Sequence, residues 1–471
     1  FVPFFYRARV FTAYEYREQR FDGRARTLTS LLFLLSRGLS VGVTLYAPSL
    51  VLSVVLGWSE RDTILLMGLS TIAYVLYGGN RSVIWTDVVQ MAIIWFGIFV
   101  CLGVAIVQLP ERFGLRDGLA LAQAAGRLNS TDLSLDPTRP YTLWSGLIGG
   151  TFLALAYFGT DQSQVQRYLA GASLKQSRLA LLFNAFLKVP MQFLILLTGV
   201  LVFVFYHFHP APLLWNQVEL THLEERADPQ RLAAIRDRYD GAQASREAAA
   251  RLFALQRREG RAPEVEPLRR AQATLDGARA EAVAEVERLN GKAYNDTNYI
   301  FPSYILAHLP RGLAGLVIAV IFAAAMSTLS GEFNSLATAT MIDFYRRFVR
   351  KDGGDAHDLF MSRVFTAAWG GFACLVALEA GRLGSAIEVV NKFGSYFYGP
   401  ILGIFLLATL TRSSSDGAFW GLLSGFVTVL GLAFATQVQW LWWIPAGAFT
   451  VVGAGLLVTA LGPRAERARP A

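Results

Sequence analysis

Hydroxyl side chains lie at helical spacing in an apolar run that begins near Leu313. Ser327 and Thr328 stand three and four positions after Ala324, so a helix would present both hydroxyls beside the Ala324 carbonyl oxygen. Hydroxyl and carbonyl oxygens suit a hard cation such as sodium. Small hydroxyl residues also let membrane helices pack closely. The spacing therefore predicts either half of a cation site or a close helix contact.

A second polar cluster opens an apolar run in residues 78–90. Asp87 lies about one helical turn inside that run, where an unpaired carboxylate would be costly. A cation or a hydroxyl group could compensate its charge there. Alternatively, Asp87 lies near the lipid headgroups and pairs with Arg81. The residues alone leave both interpretations open.

The composition indicates that these clusters lie in a membrane protein. The 471-residue chain is 54% hydrophobic and only 17% charged, with a mean hydropathy of +0.39, which is more apolar surface than one soluble core can bury. Lipid offers the backbone no hydrogen bonds, so the apolar runs must be helices. The sequence predicts about ten spanning helices, at 27–56, 62–78, 83–109, 142–165, 178–207, 311–343, 362–380, 385–410, 416–435 and 440–461.

Basic residues cluster at alternate ends of these spans, and the positive-inside rule makes that side cytoplasmic. The net charge of +8 therefore orients a multi-pass protein in the cell inner (plasma) membrane. It does not indicate a nucleic-acid partner, because the charge lies in short loops beside the lipid bilayer. The basic residues at the cytoplasmic ends of the spans are Arg7, Arg9, Arg17, Arg20, Arg24, Arg26, Arg167, Lys175, Arg178, Arg346, Arg347, Arg350, Lys351, Arg464, Arg467 and Arg469.

Residues 210–298 interrupt the apolar pattern. They are rich in Glu, Arg, Ala and Gln, and the run from Ala242 to Leu289 has a helix-forming composition. The alternation of spans predicts that this charged helical insert is extracytoplasmic. It either docks a partner that the sequence does not identify or forms a solvated hairpin. The chain thus divides into two membrane parts, 1–209 and 299–471, and the insert.

Four segments in register resemble the sodium:solute symporter family. They are 11–21 (FTAYEYREQRF), 78–90 (GGNRSVIWTDVVQ), 164–169 (QVQRYL) and 326–345 (MSTLSGEFNSLATATMIDFY). The resemblance covers nearly the whole chain except the insert. It implies an all-α polytopic membrane protein whose two membrane parts form a five-plus-five inverted-repeat transporter core. The implied function is sodium-coupled secondary active symport of a small organic solute by alternating access.

The resemblance also implies a sodium site. The family holds a sodium ion, the cofactor implied here, between a serine-rich helix and a broken first core helix. The matching positions are Ala324, through its carbonyl oxygen, Ser327 and Thr328. Some relatives hold a second sodium ion, for which Asp87, Ser327 and Ser330 match. Gly331, however, stands where that site would have a serine.

The solute site is less completely matched. Relatives that carry sugars resemble this chain at Tyr157, a gate over the substrate, and at Lys188 on the following span. Ala154, however, stands where the sugar carriers have an amide side chain, which argues against the same sugar chemistry. Segments 46–49, 83–87 and 333–338 look more like the branch that carries monocarboxylates, vitamins and iodide. The resemblance therefore favours a small organic solute, and an anionic one.

The start of the chain also differs from the family pattern. Phe1 matches the end of the helix before the 11–21 loop, so the first core helix would lie upstream of it. An inactive truncated carrier and the transporter-like module of a sensor or signalling protein remain alternatives, although only a short basic tail follows Leu461. An enzyme is not predicted, because the sequence shows no recognisable nucleophile with its base, zinc ligand set or phosphate loop.

Overall fold

Helices account for the secondary structure in the part of the chain that the structure describes. This structure, a computed structural model, describes residues 1–8, 12, 14–111, 113–129, 131–169, 173–351, 354–381 and 386–462. The side chains of residues 6–8, 78–88, 167–169 and 386–387 lie outside the description. An all-α fold suits an apolar chain in lipid, because each helix satisfies its own backbone hydrogen bonds.

In the described residues, eight α-helices precede the insert. They are α1 (Val2–Ala8), α2 (Glu15–Arg20), α3 (Gly23–Leu56), α4 (Glu60–Val107), α5 (Leu115–Ala124), α6 (Gly150–Thr160), α7 (Gln162–Leu169) and α8 (Leu174–Phe208). The Asp22 side chain caps α3 by accepting a hydrogen bond from the Ala25 amide at 2.9 Å. The helix ends at Gly57, whose φ of 66° is left-handed.

Three helices form most of the insert. They are α9 (Gln217–Arg226), α10 (Pro229–Arg258) and α11 (Glu266–Asn290). Asp228 caps α10 by accepting hydrogen bonds from the amides of Gln230 and Arg231 at 2.9 and 3.1 Å. The three helices share an apolar core that includes Ile235 and Leu275. The insert therefore has a packed interior of its own.

A second apolar cluster joins the insert to the first membrane part. Phe253 of α10 is buried in this cluster together with Leu121 of α5 and Val204 of α8. Arg257 of α10 donates a hydrogen bond to Asp117 of α5 at 2.9 Å. Apolar packing and an ion pair thus hold the insert against the membrane part, rather than leaving it as a freely solvated hairpin.

Six α-helices follow the insert in the part of the chain that the structure describes. They are α12 (Ile300–His308), α13 (Arg311–Ala339), α14 (Asp355–Ala380), α15 (Ala386–Leu410), α16 (Ser415–Ala435) and α17 (Trp440–Leu461). A π-helix, Thr340–Val349, continues α13 without a break. Ser414 caps α16 by accepting a hydrogen bond from the Gly417 amide at 3.1 Å.

Eight helical segments in the described part are long and apolar enough to cross a membrane, rather than the ten expected. They are α3, Val89–Val107 of α4, α8, α13 with its π-helix, α14, Glu388–Leu410 of α15, α16 and α17. The expected spans 62–78 and 83–109 form one continuous helix, α4. A helix can include glycine because each glycine costs only about 1 kcal/mol of helix stability relative to alanine. The expected span 142–165 is divided between the π-helical turn Ser145–Gly149, α6 and α7.

Glycine residues allow the last helices to pack closely. A Cβ atom at Gly421 of α16 would lie 2.6 Å from the Val451 carbonyl oxygen of α17, and one at Gly417 would lie 2.5 Å from the Gly455 carbonyl oxygen. Neither position has room for a larger residue unless α17 moves. Small residues commonly make such contacts between membrane helices.

Both cysteines are packed inside the helix bundle. Cys101 of α4 is 1% exposed and Cys374 of α14 is 7% exposed. Gly68 of α4 faces Cys374 so closely that a Cβ atom would overlap the Sγ atom. The two thiols therefore act as small packing groups, as their positions in apolar runs suggest.

Candidate functional site

The polar turn of α13 lies beside a cavity. Thr328 Oγ1 donates a hydrogen bond to the Ala324 carbonyl oxygen at 2.9 Å, and the Thr328 side chain is exposed. Ala324 lines a cavity of about 610 Å³ between α4, α8, α12 and α13. The structure therefore places two of the predicted sodium ligands together, and one of them, Ala324, lines this space.

The other residues of the predicted sodium sites differ in their surroundings. The Ser327 side chain is 6% exposed. Ser330 Oγ donates to the Ser327 carbonyl oxygen at 2.9 Å, so this hydroxyl is engaged within its own helix. Asp87, the carboxylate of the second predicted site, lies outside the described residues. The second sodium site stays a prediction.

A break between α6 and α7 brings a carboxylate into the bundle. Asp161, between the two helices, has an extended backbone with a ψ of 124°. Its Oδ1 accepts hydrogen bonds from the amide and the hydroxyl of Ser163, at 2.9 and 2.8 Å, and so caps α7. Transporters use such broken helices at membrane depth, because the break supplies polar groups for binding.

A buried guanidinium joins this break to α13. Arg37 of α3 is 6% exposed and forms an ion pair with Asp161. Its Nη1 donates to Glu332 Oε1 at 3.3 Å, and its Nε lies 3.1 Å from Glu332 Oε2. Glu332 follows Thr328 by about one helical turn on the same face of α13. The ion pairs therefore lie next to the predicted sodium ligands.

Tyr398 of α15 extends this network to a fourth helix. Arg37 Nη2 donates to Tyr398 Oη at 3.1 Å, and Tyr398 Oη donates to Asp161 Oδ2 at 3.3 Å. We call Arg37, Asp161, Glu332 and Tyr398 the core ion network. Charges at membrane depth are costly unless they are paired, and such pairs often belong to transport pathways. The charges of the core ion network are paired in this way.

The two predicted solute residues lie in different surroundings. The Tyr157 ring centroid is 5.6 Å from Arg37 Cζ, and Tyr157 Oη accepts a hydrogen bond from Gln164 Nε2 at 2.9 Å. Tyr157 thus touches the core ion network. Lys188 is exposed on α8, and none of these contacts involves it.

A second group of ion pairs joins two of the segments that carry the family resemblance. Arg26 of α3 donates to Asp343 Oδ1 at 2.8 Å, and Ser30 donates to Asp343 Oδ2 at 2.9 Å. Glu18 bridges Arg26 and Arg347, at 2.6 and 2.8 Å. Helix α2, within residues 11–21, is thereby fastened to the π-helix after α13, which fixes the end of the helix that carries Thr328.

A comparison with family models decides the identity of the chain. The model described as the sodium:solute symporter family matches residues 1–218 and 275–425, which is more than half of the chain. The chain belongs to the sodium:solute symporter family. The match leaves out residues 219–274, which lie within the insert of this family member, and residues 426–471.

This symporter-family chain is similar to several transporters. It is 28% identical over 462 residues to the sodium-dependent multivitamin transporter of Oryctolagus cuniculus, covering 97% of this chain and 58% of that protein. It is 38% identical over 212 residues to the Homo sapiens sodium/iodide cotransporter, covering 44% of this chain and 32% of that protein. A solved structure of a Na⁺-coupled sialic acid symporter matches with a TM-score of 0.72 at 23% identity, covering 98% of this chain and 80% of the symporter chain.

These similarities confirm the all-α polytopic transporter fold that the sequence predicts. The chain spans less than two thirds of the length of the multivitamin and iodide transporters. Family membership and the apolar helices make it a multi-pass membrane protein. The named relatives are transporters and not enzymes, in agreement with the motif analysis.

The core ion network was missed at the level of sequence. A signal was nevertheless available, because Arg37 is a charged residue inside the apolar span 27–56, and such a residue is by default a candidate for function. Its partners could not be identified from spacing. Asp161 and Glu332 lie 124 and 295 positions away in the chain.

Proposed function

We propose that this symporter-family protein carries out sodium-coupled secondary active symport of a small organic solute by alternating access. The observation that carries the proposal is the 2.9 Å contact between Thr328 Oγ1 and the carbonyl oxygen of Ala324, a residue that lines the 610 Å³ cavity. Two oxygens at this separation can ligate one hard cation, and the Ser327 hydroxyl is the third proposed ligand. Sodium is the coupling ion in this proposal.

The core ion network supports a route by which sodium acts on the fold. A cation beside Thr328 changes the electrostatic field about one helical turn from Glu332. Arg37 connects Glu332 to the α6–α7 break and to Tyr398 of α15. Sodium would therefore bias the same ion pairs that hold four helices together, and coupling requires such a differential interaction.

The solute in this proposal is a small organic anion. Tyr157 remains the candidate gate because it contacts Arg37, whose guanidinium lies near the break in the helix. Iodide and sialic acid, named for two of the similar proteins, are both anionic. Lys188 supplies a further positive charge in the proposed solute pathway. The second sodium ion, at Asp87, Ser327 and Ser330, is retained as part of the proposal.

The orientation belongs to the same proposal. The basic loops lie in the cytoplasm, and the insert of residues 210–298 lies outside, between the membrane parts 1–209 and 299–471. One charge that crosses 100 mV supplies about 2.3 kcal/mol, which drives inward movement of sodium together with the solute.

Uptake into proteoliposomes under an imposed sodium gradient tests this function. Thr328→Ala removes a ligand oxygen but keeps a small residue, so we expect it to raise the sodium concentration for half-maximal uptake by about tenfold or more. Ser327→Ala should act in the same direction. The reason is that removing an oxygen that ligates the ion weakens sodium binding more than it weakens helix packing.

Ser335→Ala is the matched control. Its hydroxyl also donates to a carbonyl oxygen of α13, that of Glu332, at 2.9 Å, but it lies beyond the polar turn. The control should keep the wild-type sodium dependence. Unchanged sodium dependence in both Thr328→Ala and Ser327→Ala would refute the ion site, and uptake without any need for sodium would refute the function.

A further inference from the structure

A cavity of about 420 Å³ lies where the insert meets the membrane part. Its walls come from α8, α10, α11 and α12. Aromatic side chains, among them Phe203, Tyr206 and Trp215, form much of the lining. The volume falls in the range of small-molecule sites, about 300–1,000 Å³. The size and the lining suit a small organic molecule with an apolar body.

A buried arginine makes this lining unusual. Arg246 of α10 is 5% exposed, and its Nη2 donates to the Tyr206 carbonyl oxygen. Within the described residues its guanidinium makes no ion pair, and its Nε has no hydrogen-bond partner. A guanidinium has five N–H donors. Arg246 therefore carries a full positive charge into the interior while using little of its hydrogen-bonding capacity.

The carboxylates near Arg246 are engaged elsewhere. Asp276 accepts a hydrogen bond from Gln272 Nε2 at 2.8 Å, and Glu247 pairs with Arg251 at 2.7 Å. Burial lowers the pKa of Arg246, while Tyr239, Asp276 and Glu247 act in the opposite direction. The neighbouring carboxylates thus only partly offset the cost of burying this charge.

Two further arginines add positive charge to the same cavity. Arg127 is exposed, and its guanidinium stacks over the Phe203 ring at 4.7 Å. Arg279 also lines the cavity and is paired with Asp296. Three guanidinium groups and one carboxylate, Asp276, therefore line the space. This lining favours an anion.

We propose that this cavity is a binding site for a small organic carboxylate. The carboxylate accepts hydrogen bonds from the Arg246 guanidinium, whose planar donors suit this geometry. The apolar body of the ligand packs against Phe203, Tyr206 and Trp215. Binding adds negative charge beside Arg246, where Asp276 and Glu247 only partly offset the cost of burial, so occupancy is favourable without sodium.

The site is distinct from the proposed sodium site but adjoins its cavity. Gly199 and Phe301 line both the 420 Å³ space and the 610 Å³ space that reaches Ala324. A carboxylate bound to Arg246 would therefore lie in a space that shares lining residues with the proposed transport route. The proposal does not depend on symport, because it concerns binding alone.

Titration calorimetry with benzoate tests the site, using the full-length protein in detergent and sodium-free potassium buffer. We expect saturable binding of benzoate and no measurable binding of benzamide, which has the same ring but no charge. Arg246→Met should weaken benzoate binding by at least about tenfold. Arg238→Met removes an exposed arginine from the same helix, one that pairs with Glu281, and should bind benzoate as the wild type does.

Three outcomes would overturn the proposal. They are equal binding of benzamide and benzoate, full binding of benzoate by a folded Arg246→Met variant, and competition between benzoate and phosphatidylglycerol in nanodiscs. In the third case the competition would be absent in the Arg246→Met variant. The last would identify a lipid phosphate as the anion. Arg127→Gln changes an exposed residue, so folding is not at risk, and it should weaken binding about two- to fivefold. An unchanged affinity there would count against the proposal even if Arg246→Met failed to fold.

Discussion

Arg37 and Arg246 are buried to a similar degree but have different partners. Arg37, 6% exposed, faces the carboxylates of Asp161 and Glu332, whereas Arg246, 5% exposed, donates to a backbone carbonyl oxygen. Charge matching makes Arg37 a link between helices, because removing one partner leaves the others uncompensated. Arg246 lacks that matching, so an incoming anion can supply it. The partners of a buried arginine, rather than its burial, indicate its role.

The largest expected effect follows from removing the matched arginine. Arg37→Met leaves Asp161 and Glu332 buried without their cation, and breaking a buried ion pair costs about 3–5 kcal/mol of unfolding free energy. We expect a marked fall in the thermal unfolding midpoint of the purified protein in detergent.

The triple variant Arg37→Met, Asp161→Asn and Glu332→Gln is the control for this effect. It removes all three charges together, so it should recover much of the stability that Arg37→Met removes. If Arg37→Met alone were as stable as the wild type, the contrast with Arg246 would fail.

A smaller effect is expected at the tyrosine of the core ion network. Tyr398→Phe removes the hydroxyl that accepts from Arg37 and donates to Asp161, and hydrogen bonds to charged groups contribute about 1.5–3 kcal/mol. The destabilisation should appear as a lower unfolding midpoint. Tyr396→Phe, on the same helix but with its ring against Trp443, should change the midpoint little. If the two substitutions lowered the unfolding midpoint equally, the Tyr398 hydroxyl would not contribute to the stability of the core ion network.

The smallest expected effect is at the unmatched arginine. Arg246→Met removes one hydrogen bond to a carbonyl oxygen, worth about 1 kcal/mol, but also removes a buried charge without an ion-pair partner in the described part of the chain. The two contributions oppose each other, so the unfolding midpoint in the absence of ligand should stay close to that of the wild type. A fall as large as that of Arg37→Met would show that the two arginines have the same structural role.

Much of the helical framework could be predicted from the sequence. The predicted spans 416–435 and 440–461 differ from α16 and α17 by at most one residue, because the Ser414 cap and the apolar composition are local signals. Prediction failed where local signals conflict with packing. The sequence predicts two spans, 62–78 and 83–109, separated by polar residues, yet α4 continues from one through the other.

The two candidate sites differ in how far sequence could reveal them. The contact between Ala324 and Thr328 follows from helical spacing alone, and the structure contains it. Arg246 has no comparable signal, because it is one of many arginines in a charged segment. Its burial and its lack of a carboxylate partner within the described residues arise only when α10 packs against α8. Sequence therefore predicts a contact within one helix, but not a contact between helices.

The burial of Cys101 and Cys374 has a practical consequence for spectroscopy. Neither thiol presents much surface to a bulky, membrane-impermeant dye, so fluorophores could be attached to introduced cysteines without first removing the native ones. Removing them would itself disturb tight contacts such as that between Cys374 and Gly68. Pairs of such dyes, one on the insert and one on a basic loop, would report distance changes between these segments in a protein that keeps both native thiols.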